Sequence, residues 1–186
     1  MSMDQYKVDI NNFKIVKSLG KGAFGDVSLV EDKKTKKQYA AKFIKFDDDD
    51  DNLEEQKESI NREIQVMIKV QHPTILKFIG YSTQDYQGQH GVTLLTKIAK
   101  LGSLSSICYK DSPKRKGLKY DNTARQCILA GIARGMMLLH QSQGMHRDLK
   151  PDNVLLDAKM YPHISDFGLS KIMNTQNELI QSKACG

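Results

Sequence analysis

No apolar run in this chain approaches the roughly 20 residues that a membrane-spanning helix needs. The richest stretch, Ile128 to Leu139, is broken by Gly131, Arg134 and Gly135. The opening Met1-Ser2-Met3-Asp4-Gln5-Tyr6-Lys7 is polar and lacks the apolar centre of a signal peptide. Cysteine is scarce and odd in number (Cys108, Cys127, Cys185), which reads as free thiols in a reducing compartment and predicts a cytoplasmic location. Aromatic residues make up only 7% and tryptophan is absent. The formal charge of +6 therefore does not imply nucleic-acid binding. Its clusters at Lys33–Lys37 and Lys110–Lys119 are not interleaved with the aromatic side chains a base-stacking platform requires, and both read as solvated connections. No internal repeat is present.

What is there fits one ordinary domain, or a small lobe with part of another: 186 residues, 39% hydrophobic and 27% charged. The pattern predicts strands at 13–19, 27–30 and 38–46, with a glycine-rich turn over Gly20–Gly25. From Leu53 to Val70 the period becomes helical, with Ile60, Ile64, Met67 and Ile68 on one face and His72-Pro73 as the stop. Strands are expected at Ile75–Tyr81 and Val92–Ile98, joined by a polar turn over 84–91. A short helix follows over 103–109, then a basic loop broken at Ser112-Pro113. Asp121 is placed to cap a long helix from Asn122 to about Gln141, burying Ile128, Ile132, Met136 and Leu139. Short strands are expected at Val154–Leu156 and Tyr161–Ile164. Strands with one helix thus precede a mostly helical half, with the change near residues 97–102.

The chemistry concentrates late in the chain, in His146-Arg147-Asp148-Leu149-Lys150-Pro151-Asp152-Asn153 and Asp166-Phe167-Gly168. Asp148 can take a proton from a hydroxyl and Lys150 can hold a negative oxygen. Asn153 and Asp166 offer the hard oxygen ligands magnesium prefers. Phosphoryl transfer asks a protein mainly for positioning and charge neutralisation, which these groups supply. Upstream, Gly20-Lys21-Gly22-Ala23-Phe24-Gly25 matches Gly-x-Gly-x-x-Gly. That spacing alone also fits a dinucleotide-dependent oxidoreductase, but there the last glycine opens a helix, whereas Asp26 to Val30 reads as a strand. Glycines at a hairpin, with amides close to phosphates, fit better than an ordinary turn. Lys42 lies in an apolar strand and Glu63 at the edge of a buried helical stripe; an ion pair between them would account for both. The acidic run Asp47–Asp51 reads as a solvated loop ahead of a helix N-terminus and not as a metal site.

Together these motifs resemble a eukaryotic-type protein kinase domain, in order and separation, from about Phe13 to Gly186. The resemblance implies an α+β, bilobal protein kinase-like fold: residues 1–12 as an N-terminal extension, 13–98 as an N-lobe of antiparallel sheet with one main helix, and 99–186 as part of a helical C-lobe. It implies ATP and Mg2+ as cofactors and protein substrates as partners, with no nucleic acid and no membrane. Lys42 would contact the nucleotide phosphates and Glu63 would orient it. Asp148 would orient and deprotonate the acceptor hydroxyl, Lys150 would stabilise the transferred group, and Asn153 and Asp166 would hold magnesium. Val27, Ala40 and Leu155 would sandwich the adenine, with Thr96 behind it and the backbone of Lys97 to Ala99 at its edge. His146 becomes a packing residue, stacked with Met67, Phe78 and Phe167. Lys150-Pro151 resembles serine/threonine kinases, and Thr96, Gly102-Ser103-Leu104 and Ala184-Cys185-Gly186 resemble the tyrosine-kinase-like group. Arg147 implies control by a phosphate, with Thr175 and Ser182 as candidates. The chain stops at Gly186 without the Ala-Pro-Glu element and later helices of that family. This predicts a truncated kinase with partly exposed apolar faces on the 122–141 helix, and leaves a non-catalytic nucleotide-binding or pseudokinase-like module as the alternative.

Overall fold

The computed structural model describes residues 3–22, 25–46, 51–84, 86, 90–109 and 116–172. They fall into two compact units: residues up to Glu58 with Leu76–Lys100, and Ser59–Ile75 with residues from Leu101 onward.

The first unit is built on alternation. Strands β1 (Phe13–Gly22), β2 (Gly25–Asp32), β3 (Gln38–Lys45), β4 (Phe78–Gln84) and β5 (His90–Lys97) form one antiparallel sheet in the order β1-β2-β3-β5-β4. Residues two apart share a face, and Val30, Ala41 and Leu95 accordingly join Ile10 and Phe13 in a buried cluster backed by Tyr39 and Phe43. The glycine-rich turn is tighter than the sequence suggests. Gly20 and Gly22 are strand residues, and Gly22 pairs directly with Gly25. Gly25 sits at φ +126°, and a Cβ there would lie 2.1 Å from the Phe43 carbonyl oxygen, so only glycine fits. Ala23 and Phe24 lie outside the described residues, as do Asp47–Asp50 of the acidic run, Ser112-Pro113, Thr175, Ser182 and Ala184–Gly186.

The residues before β1 are not a loose leader. Lys7 bridges Tyr81 in parallel, Val8 N–H donates to the Tyr81 carbonyl at 2.8 Å, and Tyr6 meets the Phe78 ring at 5.7 Å. This segment covers part of the β4 edge, whose backbone groups would otherwise be open to pairing.

Helix α1 (Leu53–Lys69) begins in the first unit and runs on in the second. Glu54 and Glu55 in its first turn and Lys69 in its last suit the helix dipole. Ile60, Ile64 and Met67 are buried as expected and Ile68 half-buried, but Glu63 and Val66 are buried as well. The strand expected from Ile75 instead starts at Phe78. Ile75 is drawn away by a parallel bridge to Ile164, reinforced by Ile164 N–H donating to the Thr74 carbonyl at 2.8 Å.

In the second unit α2 (Ser105–Cys108) is shorter than expected because Gly102–Ser103 forms a strand, β6, against β8 (Val154–Leu156), which in turn pairs with β9 (Pro162–Ile164). Helix α3 (Asn122–Gln141) has the expected span, and Asp121 Oδ1 accepts from Ala124 N–H at 2.9 Å. That bond leads the effects holding the Asp121 carboxyl below its ordinary pKa. Ile128 and Leu139 are fully buried, Ile132 and Met136 partly. Leu129 and Met137, 65% and 50% exposed, turn apolar surface to water. Two-residue strands β7 (Gly144–Met145) and β10 (Lys171–Ile172) pair on either side of the acidic motifs.

Candidate active site

Two groups of the expected site residues lie in different units. In the first, strand register does the positioning. Val27 pairs with Lys42, and Lys42 with Leu94; Leu29 pairs with Ala40, and Ala40 with Thr96. Directly opposed residues of an antiparallel pair project to the same side. Val27, Ala40, Lys42 and Thr96 therefore share one face of the sheet, opposite the face that carries Ala41 and Leu95. Gly20 extends the row, paired with Val27. The Lys97 N–H is committed to the Lys77 carbonyl at 2.9 Å. Any amide that reads a base edge must then come from beyond it, towards Ala99.

The second unit holds Glu63, Asp148, Lys150, Asn153, Leu155 and Asp166, and hydrogen bonds link Asp148, Lys150 and Asn153 directly. Glu63 is only 6% exposed, and a carboxylate so buried persists only with compensating partners. After β7 the chain leaves regular structure: Arg147 is left-handed at φ 67°, and one 3₁₀ turn at Pro151–Asn153 leads into β8. Pro151 opens that turn, where its missing N–H costs nothing. The turn brings Asn153 back beneath Asp148. Its Nδ2 donates to the Asp148 carbonyl at 2.8 Å and to Asp148 Oδ2 at 3.0 Å. Both partners are acceptors, so the amide nitrogen must face them and Oδ1 must point elsewhere.

Lys150 Nζ donates to the same Oδ2 at 2.7 Å. That bond is the largest influence holding the Asp148 carboxyl below its usual range, with the Asn153 bond also lowering it. The same contact raises Lys150. Asp148 is thus an anion at neutral pH, with Oδ1 available to accept from a hydroxyl. A carboxylate held this low is a weak base but a firm orienting group.

Below the loop, His146 is 1% exposed and fully employed. Asp148 N–H donates to His146 Nδ1 at 3.3 Å, and Nε2–H donates to the Ser165 carbonyl at 3.0 Å. These two bonds require the neutral tautomer, since a proton on Nδ1 would oppose an N–H. Burial likewise lowers the imidazole pKa. Its ring lies 5.0 Å from that of Phe167, and Met67 is buried in the same unit. The expected packing role of His146 therefore stands against a catalytic one. Phe78 belongs to the first unit.

Ser165, which the sequence reading passed over, ties the loop to Asp166. Its N–H and its hydroxyl both donate to the Asn153 carbonyl, at 2.9 and 3.0 Å. One residue later Asp166 is left-handed at φ 64°. No periodicity marks such a serine; its only signal is its place beside the acid.

Among the described residues no group of three or more His, Cys, Asp or Glu side chains is arranged to hold a metal. Magnesium asks for less, keeping several waters and taking one or two protein oxygens alongside phosphate. The donor set fits it. The Asn153 amide is fixed with its oxygen turned away from Asp148, and Asp166 is one peptide from the serine that anchors Asn153.

A family model described as "Protein kinase domain" matches residues 13–186. A probable myosin light chain kinase of Dictyostelium discoideum is 34% identical over 95% of this chain, which covers 51% of that protein. A probable serine/threonine-protein kinase of the same organism is 31% identical over 96% of the chain, 29% of its own length. An Aurora kinase of Patiria pectinifera is 33% identical over 91%, covering 39% of its length. The chain thus spans about half or less of the curated relatives it matches. Among the described residues no helix is long and apolar enough to cross a membrane.

Proposed function

Because this chain belongs to the protein kinase domain family, we propose that it carries the site for ATP- and magnesium-dependent phosphoryl transfer to serine or threonine hydroxyls of proteins. The observation that supports this most is the state of Asp148: anionic, half-buried, and anchored on one oxygen by Lys150 and Asn153. The other oxygen accepts the acceptor's hydroxyl proton in a hydrogen bond and aims its lone pair at phosphorus. A loose transition state needs little basicity, so a low carboxyl pKa is no handicap. Lys150, beside that oxygen pair, meets negative charge on the transferred group. Lys42 is given to the nucleotide phosphates with Glu63 as its orienting acid, and the glycine hairpin Gly20 to Gly25 covers them. Val27, Ala40, Thr96, Ala99 and Leu155 frame the base. Magnesium, held by Asn153 and Asp166, supplies charge neutralisation on the phosphates when bound.

Lys150-Pro151 supports serine/threonine acceptors, as do relatives with such names. Thr96 and Gly102-Ser103-Leu104 support the tyrosine-kinase-like group. Arg147 is exposed, so burial of its charge does not call for a counter-charge; a phosphate on Thr175 or Ser182 is supported only by its place directly before Asp148. The kinase reading predicts that Asp148→Asn lowers phosphoryl transfer to a serine/threonine peptide library about 100- to 10,000-fold while nucleotide still raises the thermal midpoint. Undiminished transfer by Asp148→Asn overturns the assignment. Nucleotide binding without transfer by the unsubstituted chain supports instead a binding module.

A further inference from the structure

The three residues Asp166-Phe167-Gly168 follow Ser165 through a backbone that would not hold itself. Asp166 at φ 64° occupies the left-handed region, which is unfavourable for a non-glycine residue. Such a conformation persists only where its surroundings fix it. Three carbonyls around it are held. The Ser165 carbonyl accepts from His146, and the Phe167 carbonyl accepts from Ser170 N–H at 2.9 Å and from the Ser170 hydroxyl. The Gly168 carbonyl accepts from the Ser59 hydroxyl at 2.8 Å.

The last of these differs in kind. His146 and Ser170 lie within the motifs or beside them, whereas Ser59 is 109 residues earlier, on α1. It stands one helical turn before Glu63, on the same side of the helix. The approach is close: a Cβ on Gly168 would lie 3.0 Å from Ser59 Oγ, a contact tight enough that the hydroxyl would have to shift slightly. Ser59 is half-buried, which shields the bond from competing water.

We infer that Ser59 is a positioning residue, whose hydroxyl fixes the Gly168 peptide and through it the carboxylate of Asp166 for a magnesium–nucleotide ligand. This rests on the kinase reading above and extends it. Helix α1 then acts on the site twice, through the buried acid Glu63 and through this hydroxyl.

The test is nucleotide affinity of the whole chain, measured by titration calorimetry with ATP in excess magnesium and with ATP in EDTA. Ser59→Ala removes the donor, and Ser59→Thr retains it. Ser59→Ala is expected to lower the ratio of magnesium-dependent to magnesium-free affinity about three- to tenfold, as loss of one net hydrogen bond allows. The magnesium-free affinity stays unchanged, and Ser59→Thr restores the ratio. An unaltered ratio in Ser59→Ala overturns the inference. So does an equal loss in both conditions, which would mean a general structural defect. If the unsubstituted chain binds no nucleotide in either condition, the kinase reading fails with it; if it binds and only the Ser59 variants are silent, that reading survives alone.

Discussion

Replacing Asn153 by aspartate separates two jobs that the side chain does at once. Asparagine and aspartate have nearly the same shape, and either can present an oxygen to magnesium. Only asparagine can donate to Asp148. The substitution deletes bonds of 2.8 Å to the Asp148 carbonyl and 3.0 Å to its Oδ2, and sets an anion in place of the donor. Two unit charges 3 Å apart repel by about 5 kcal/mol at an effective dielectric near 20. The carboxylates will turn apart, and Lys150 screens one of them, so roughly 2–4 kcal/mol of lost stability is expected at neutral pH. Asn153→Ala, which removes the same bonds without adding charge, should cost about 2 kcal/mol. The sign of the pH dependence is distinctive. A carboxylate pair raises the pKa of one member in the folded state above its unfolded value. The penalty is therefore full above that raised value and shrinks as acid protonates one partner. Urea unfolding of the three proteins at about pH 7.5 and about pH 5 reads this directly. The reasoning fails if Asn153→Asp is as stable as the unsubstituted chain at neutral pH, or if its deficit grows in acid.

Gly25→Ala puts a methyl carbon 2.1 Å from the Phe43 carbonyl at a φ that L-residues avoid. Thermal unfolding should show a loss of about 2 kcal/mol or more, against under about 1 for Gly20→Ala, where nothing lies within 4 Å; equal effects would contradict the β1–β2 register. His146 makes a pH prediction of its own. Its folded pKa lies below the ordinary 6.5, so the folded state resists protonation that the unfolded chain accepts. Stability is then full above about pH 6.5 and declines as pH falls from there toward the lowered folded value. His146→Gln should flatten that part of the urea-midpoint profile between pH 7.5 and 5.5, and an unchanged slope would remove His146 as its cause.

Where residues repeat, the sequence was legible. The hydrophobic stripe of α1, the capped start of α3 at Asp121, and the Val154–Leu156 strand all lie where pattern and capping chemistry put them. What escaped was pairing without pattern. Strands β6, β7 and β10 are two residues long, too short for alternation to register. Ile75 looks like the first residue of a strand, yet its partner Ile164 is far along the chain, and apolar character alone does not choose between neighbours. The segment before β1 joins the sheet through backbone groups that every residue carries. The proposed site divides the same way. Its candidate groups could be named from sequence because few residue types can do that chemistry; Ser59 and Ser165, which donate to the Gly168 and Asn153 carbonyls, look like any other serine.

That division has a physical basis in two of the left-handed residues. Arg147 and Asp166 both lie at φ near 65°, within the two motifs proposed to form the site. Neither position is glycine, which would relax the backbone but leave no carboxylate or guanidinium to act. The conformational cost must be met by neighbours. Asp148 N–H on His146 closes the turn after Arg147, while the carbonyls of Ser165, Phe167 and Gly168 around Asp166 accept from His146, Ser170 and Ser59 respectively. His146 serves both turns with one ring, accepting from the first and donating to the second. It can do so only while neutral and buried. A residue that looks catalytic by type thus contributes as a neutral, buried bridge between the backbone of Asp148 and that of Ser165, the residue before Asp166.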